Sequence, residues 1–131
     1  ILGRLLLPEL NPFVKINANK DEKIFVGDSD TVWIEWLLKD SPLPYYFCNN
    51  QKCETPLLVL DSTSPIRKVD FYPNRKDVLV IAVQNAIYAI EVDGRGGRIL
   101  QPIYKGKSPI FEIENNSIYI LDEKTFIKMN I

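Results

Sequence analysis

Histidine is absent from these 131 residues, and methionine occurs once. Without an imidazole the chain lacks the commonest general base and the commonest metal ligand, so a Ser-His-Asp hydrolase cannot be assembled within it. Long apolar runs are missing too. The stretch Ile1 to Leu7, with Leu5, Leu6 and Leu7, falls far short of the ~20 residues a membrane span needs, and it lacks the layout of a signal peptide. No charge of one sign prevails: 16 Lys and Arg stand against 17 Asp and Glu, for a net charge of -1. Such a balance offers no field to draw the chain to nucleic acid or anionic lipid. Helical periodicity is also nearly absent.

What is present is β-like. Apolar residues make up 46% and charged residues 25%, as in a globular protein rather than a disordered or coiled-coil one. Short runs rich in Ile, Val, Tyr and Phe alternate with Asn, Asp, Gly and Pro clusters, which predicts an all-β fold. Three stretches, starting at Pro12, Pro65 and Pro109, lie over one another as strand, turn, strand, tight turn, strand. Their spacing approaches the 40 to 50 residues per blade typical of propellers. The units run approximately over 12–61, 65–104 and 109–131 of one domain, 1–131. Asp28-Ser29-Asp30, Gln84-Asn85 and Glu123-Lys124 mark the tight hairpins, and Asn115-Asn116 the reversal after the third unit's first strand. Pro56 to Leu60 and Arg98 to Tyr104 are expected to be outer, fourth strands. Val78 to Val83 is entirely apolar and Ala86 to Ile90 nearly so, which predicts strands covered on both faces. Antiparallel four-stranded blades of a β-propeller, partial or completed by other chains, are the expected architecture; a β-sandwich is the alternative.

The second unit resembles blades of TolB-like and WD-repeat-like propellers. Phe71-Tyr72-Pro73-Asn74 stands where that family has aromatic-Ser-Pro-Asp, and Ile87-Tyr88-Ala89-Ile90-Glu91-Val92-Asp93-Gly94 follows its Ile-Tyr-hydrophobic-x-Asp-x-Asp-Gly string. The Trp-Asp dipeptide of WD repeats is missing from all three units. Val32-Trp33-Ile34-Glu35-Trp36-Leu37 and Glu91-Val92-Asp93-Gly94-Arg95 are similar to the propeller-like region of bacterial envelope proteins that carry PEGA domains. These likenesses imply a propeller fold and an extracytoplasmic, cell-envelope address (otherwise a cytoplasmic one), and supply no catalytic motif.

Fewer than three complete blades are visible, and the chain starts without methionine and stops inside an alternating run. It is therefore expected to be a piece of something longer, or to be completed by a homo-oligomer. Ile1 to Leu7 is expected as an outer strand of a preceding blade or as a closing strand for the last unit.

Cys48 and Cys53 admit two readings, a loop-stapling disulfide in an oxidising compartment or free thiols in a reducing one. With no histidine they cannot complete a four-ligand zinc site. Asp28 and Asp30, with Asp21 and Glu22 nearby, match no full calcium loop and are expected to serve hairpin turns. Glu91 and Asp93 share a strand face but have no opposing acid for glycoside hydrolysis. Gly94-Arg95-Gly96-Gly97-Arg98 lacks the Lys-Ser/Thr ending of a phosphate loop. With Arg67, Lys68, Arg75, Lys76, Lys105 and Lys107 it makes unit two locally basic, as a solvated surface or a weak patch for acidic partners. Trp33 and Trp36 fall on opposite strand faces and are expected to pack between blades. Tyr45-Tyr46-Phe47, beside Pro42 and Pro44, either contacts a partner or folds back over the blade edge. The sequence thus calls for no metal and no cofactor. The expected function is a non-enzymatic scaffold presenting loops to a protein partner; the alternative is an accessory propeller portion of a glycosidase or peptidase with catalytic residues elsewhere.

Overall fold

A computed structural model of the chain describes residues 2–6, 11–49 and 52–130. Three antiparallel sheets follow one another in chain order. The first contains β1 (Val14–Ile16), β2 (Glu22–Gly27), β3 (Thr31–Trp36) and, on its outside, β6 (Leu57–Asp61). Between β3 and β6, β4 (Cys48–Asn49) and β5 (Lys52–Cys53) form a two-stranded ladder of their own. The second sheet runs from β7 (Lys68–Phe71) through β8 (Val78–Val83) and β9 (Ala86–Glu91) to β10 (Gln101–Lys105). The third has β11 (Ile110–Glu114), β12 (Ser117–Asp122) and β13 (Thr125–Asn130), with no fourth strand among the described residues. The all-β expectation, the antiparallel pairing and the fourth strands of the first two units hold.

The hairpins form because the turn residues accept left-handed backbone. Asp28 and Ser29 (φ 50° and 68°) reverse the chain between β2 and β3, and Asn115 (φ 54°) between β11 and β12. Asn and Asp reach this region at little cost because their short side chains hydrogen-bond locally.

The sheets stack face against face, and β8 shows why its sequence carries no polar residue. All six of its residues are buried. Leu79, Ile81 and Val83 enter one core with Ile24, Val32, Ile34 and Val59 of the first sheet. Val80 and Ala82 enter a second core with Phe111, Ile118 and Ile120 of the third. A strand alternates its side chains between faces, so a doubly covered sheet must be apolar at every position. Trp36 packs against the first core, whereas Trp33, on the opposite face, stacks on Phe25 with ring centroids 6.4 Å apart.

Residues 2–6 correct the expectation of an N-terminal strand. Leu2–Leu6 is a short helix, α1, set against the third sheet, with Leu5 buried and Arg4 2.8 Å from Glu114. Leu and Arg are good helix formers, and α1 meets β11 and β12 rather than the free edge of β13, so among the described residues it adds no fourth strand to the sheet. Ile1 and Leu7 lie outside the described residues.

The link from the second sheet to the third depends on Gly106. Its N–H donates to the Asn85 carbonyl, and beside it the Asp122 carboxylate accepts from the Tyr104 hydroxyl (2.9 Å), the Lys107 N–H (3.2 Å) and the Ser108 N–H (3.1 Å). The Ser108 N–H foremost, with the Tyr104 hydroxyl and Lys107 N–H, holds the Asp122 carboxyl below the ordinary carboxylate range. A methyl group on Gly106 would overlap Asp122 Oδ2 and stand 2.7 Å from Tyr104 Cε1. Gly106→Ala is therefore expected to cost about 1–3 kcal/mol, as overpacking does, read as a lower denaturant midpoint; an unchanged midpoint would show that this corner rearranges freely.

Candidate interaction site

Stacking brings equivalent turns together. The β1–β2, β7–β8 and β11–β12 turns all lie at one end of the sheets, and a cleft of about 460 Å³ opens among them. Its walls include Asn17 and Asn19 of the first turn, Tyr72, Asn74 and Arg75 of the second, and Asn115 of the third. Asn17 Oδ1 accepts from the Asp21 and Glu22 N–H groups (3.1 and 3.2 Å), which fixes the first turn. The Asn74 side-chain amide hydrogen-bonds Asn116, joining the second turn to the third. Lys76 Nζ lies 2.6 Å from Asp21 Oδ2, joining the second to the first. Burial pushes the Asp21 carboxyl up, but the Lys76 and Asn17 hydrogen bonds outweigh it and hold the group below its ordinary value.

Deeper in the wall, Lys15 Nζ stands 3.8 Å from Asp70 Oδ2, and Asp70 Oδ1 accepts from the Phe71 N–H at 2.7 Å. Burial raises the Asp70 carboxyl against the pull of Lys15. The cleft thus combines apolar walls with polar groups held rigidly by neighbours, a surface suited to recognition.

The aromatic cluster divides. Tyr45–Phe47 forms a single 3₁₀ turn in which Tyr46 and Phe47 are buried while Tyr45 is 59% exposed. Phe47 meets Trp36 edge-on, ring centroids 6.1 Å apart. Tyr46 and Phe47 therefore fold back over the first sheet and are not accessible to a partner, because hiding two large rings outweighs exposing them. Tyr45 alone faces out, with the Arg95 guanidinium 5.2 Å from its ring centroid and Asp93 paired to Arg95 at 2.8 Å. Glu91 closes β9 opposite Val78, so this outward group sits at the same end of the stack as the cleft. The turn containing Tyr45 leads into a short ladder whose ends, Cys48 and Cys53, are joined by a disulfide.

The acidic residues separate as well. Asp28 and Asp30 occupy the β2–β3 hairpin, while Asp21 and Glu22 lie at the other end of β2, six residues or about 20 Å away. Among the described residues no group of three or more potential ligands gathers as a metal site. The basic residues of unit two do not pool into one patch. Arg67 donates to the Pro109 carbonyl at 2.9 Å and Lys68 to the Phe111 carbonyl at 2.9 Å, clamping the second sheet to the third. Arg75 pairs with Asp77, Arg95 with Asp93, and Arg98 donates to the Val92 carbonyl.

One pairing escaped the sequence reading. Glu22 is completely buried, its Oε2 accepts from the Tyr46 hydroxyl, and its Oε1 has no hydrogen-bond partner among the described residues. Burial raises the Glu22 carboxyl to about 7, helped by Asp21 and Asp77 and opposed by Tyr46 and Lys76. Burial and the Glu22 contact push the Tyr46 hydroxyl up in turn. A signal existed: counting back from the hairpins, Glu22 takes the position of Val78, a core residue of the second unit.

No family model matches the chain, and no solved structure matches it. The mouse (Mus musculus) U3 small nucleolar RNA-associated protein 18 homolog is 34% identical to it over 70 residues, 53% of this chain but only 13% of that protein. Among the described residues, no helix is long and apolar enough to cross a membrane.

Proposed function

We propose that the chain is a non-enzymatic, propeller-like scaffold whose stacked sheets hold their turns rigid as a contact surface for a protein partner. The observation that carries this reading is the gathering of three equivalent turns around one cleft, each tied to its neighbour by a side-chain contact. Loops fixed on a rigid sheet stack suit recognition because little entropy is lost when they bind. Tyr45 and Arg95 extend the same surface with an exposed aromatic and a cation, residue types enriched at interfaces. The partial likeness to the U3 small nucleolar RNA-associated protein 18 homolog, a WD-repeat protein, agrees with a repeated-sheet scaffold.

The test places a photo-crosslinking residue at Asn19, in the cleft, or at Lys124, on the hairpin at the opposite end of the third sheet. In cells of the native source, Asn19 is expected to capture a discrete protein and Lys124 not. Arg75→Glu should reduce that capture about tenfold or more, the effect of losing roughly 1.4 kcal/mol of binding. No discrete product at Asn19, or the same product from both positions, would remove the cleft as the contact surface.

A further inference from the structure

Among the described residues the middle sheet is covered on both faces, whereas the first sheet has one covered and one open face, and the third has one covered face and one that only α1, at its β11 side, overlies. Counting from the hairpins defines equivalent positions. Facing the next sheet in the chain are Ile24 and Val32 of the first sheet, Val80 and Ile87 of the second, and Tyr119 and Phe126 of the third. The first four are fully buried, while Phe126 is 43% exposed. Facing the preceding sheet are Ile81 and Ile120, both fully buried, and their counterpart Phe25 of the first sheet, which is only partly covered.

Both free faces therefore keep large apolar side chains where the repeat buries them, and both are built alike. On the first sheet Phe25 and Trp33 stack across the strands with Lys23 Nζ 5.5 Å from the Phe25 centroid. On the third, Tyr119 and Phe126 stack at 6.0 Å with Lys128 Nζ 5.7 Å from the Tyr119 centroid. The charges beside each pair are met within the chain, Glu35 by Lys23 at 3.8 Å and Glu112 by Lys68 at 2.9 Å, so what each face offers an opposing one is its aromatic pair. α1 docks at the β11 side of the third sheet, where Arg4 reaches Glu112 and Glu114, and Phe126 remains open.

We infer that the free face of the third sheet binds the free face of the first sheet in a second copy of the chain, continuing the stacking that joins the sheets within one copy. The contact is head-to-tail, since the two surfaces differ. Two copies closing on each other would contribute six sheets, within the roughly 4 to 8 that propeller rings contain.

The test is sedimentation of the 131-residue chain over a concentration series reaching about 100 μM, an affinity range typical of weak association. A two-copy species is expected to form as concentration rises. Leu58→Glu, beside Trp33 in the pairing of β3 with β6, and Phe126→Glu should each weaken it at least about tenfold, because a charge would be buried unpaired. An equimolar mixture of the two variants should recover association, since an intact third-sheet face then meets an intact first-sheet face. Both positions are already partly exposed; if either substitution unfolds the chain, Ile16→Glu and Lys128→Asp probe the same two faces. A chain that stays single-copy throughout would overturn the inference. So would variants that associate like the parent, or a mixture that fails to recover, which would mean like faces meet.

Discussion

Replacing Phe111 by alanine is expected to lower the free energy of unfolding by about 3–5 kcal/mol, a large share of the roughly 5–15 kcal/mol that holds a domain of this size. Phe111 is 1% exposed and is the largest fully buried side chain of the core between the second and third sheets. It meets Val80, Ala82 and Ile87 across the interface, and Lys68 Nζ stands 5.0 Å from its ring centroid. The alanine would leave a cavity that β8 cannot fill, because Leu79 and Ile81 on its other face are locked in the first core. Loss should therefore concentrate in the third sheet. Amide exchange in β11 to β13 is expected to accelerate more than in β2 and β3. A loss under about 1 kcal/mol, or equal acceleration in all three sheets, would mean that the second core does not bind the third sheet to the stack.

Glu22 governs the second large effect, a dependence of stability on pH. Its carboxyl rises from 4.5 to about 7 on folding. Between those values the folded chain binds more protons than the unfolded one, so stability falls as pH increases. Below pH 4.5 this destabilising contribution is absent; above about 7 it is complete, because a buried carboxylate with one unpartnered oxygen must be held in the core. The swing is on the order of 3 kcal/mol. Glu22→Gln keeps an acceptor for the Tyr46 hydroxyl and removes the ionisation. Chemical denaturation at pH 5 and pH 8 should show the parent distinctly weaker at pH 8 and the variant nearly level across this interval. Parallel curves for the two proteins would show that Glu22 does not titrate in this range.

These two residues also mark how far the sequence could be read. Phe111 lies in the first strand of the unit that starts at Pro109, and the strand it packs against, Val78 to Val83, is apolar throughout, so a doubly covered middle sheet was legible in the sequence. Hairpin positions were legible for the same local reason: Asp28, Asn115 and Asn85 sit where the backbone must reverse. Glu22 was not, because an acidic residue at a core position looks like part of a charged turn until Tyr46, 24 residues away, supplies its hydrogen bond.

Strand identity, pairing direction and the three-unit division follow from side-chain alternation and turn chemistry, which act over a few neighbouring residues and are written into the chain order. The fate of Tyr46 and Phe47, the docking of Leu2–Leu6 against the third sheet, the dispersal of the basic residues among separate acids and carbonyls, and the gathering of three turns around one cleft were decided by tertiary structure alone. Each depends on which distant groups arrive alongside, and burial and charge pairing take their energies from those neighbours rather than from the local sequence.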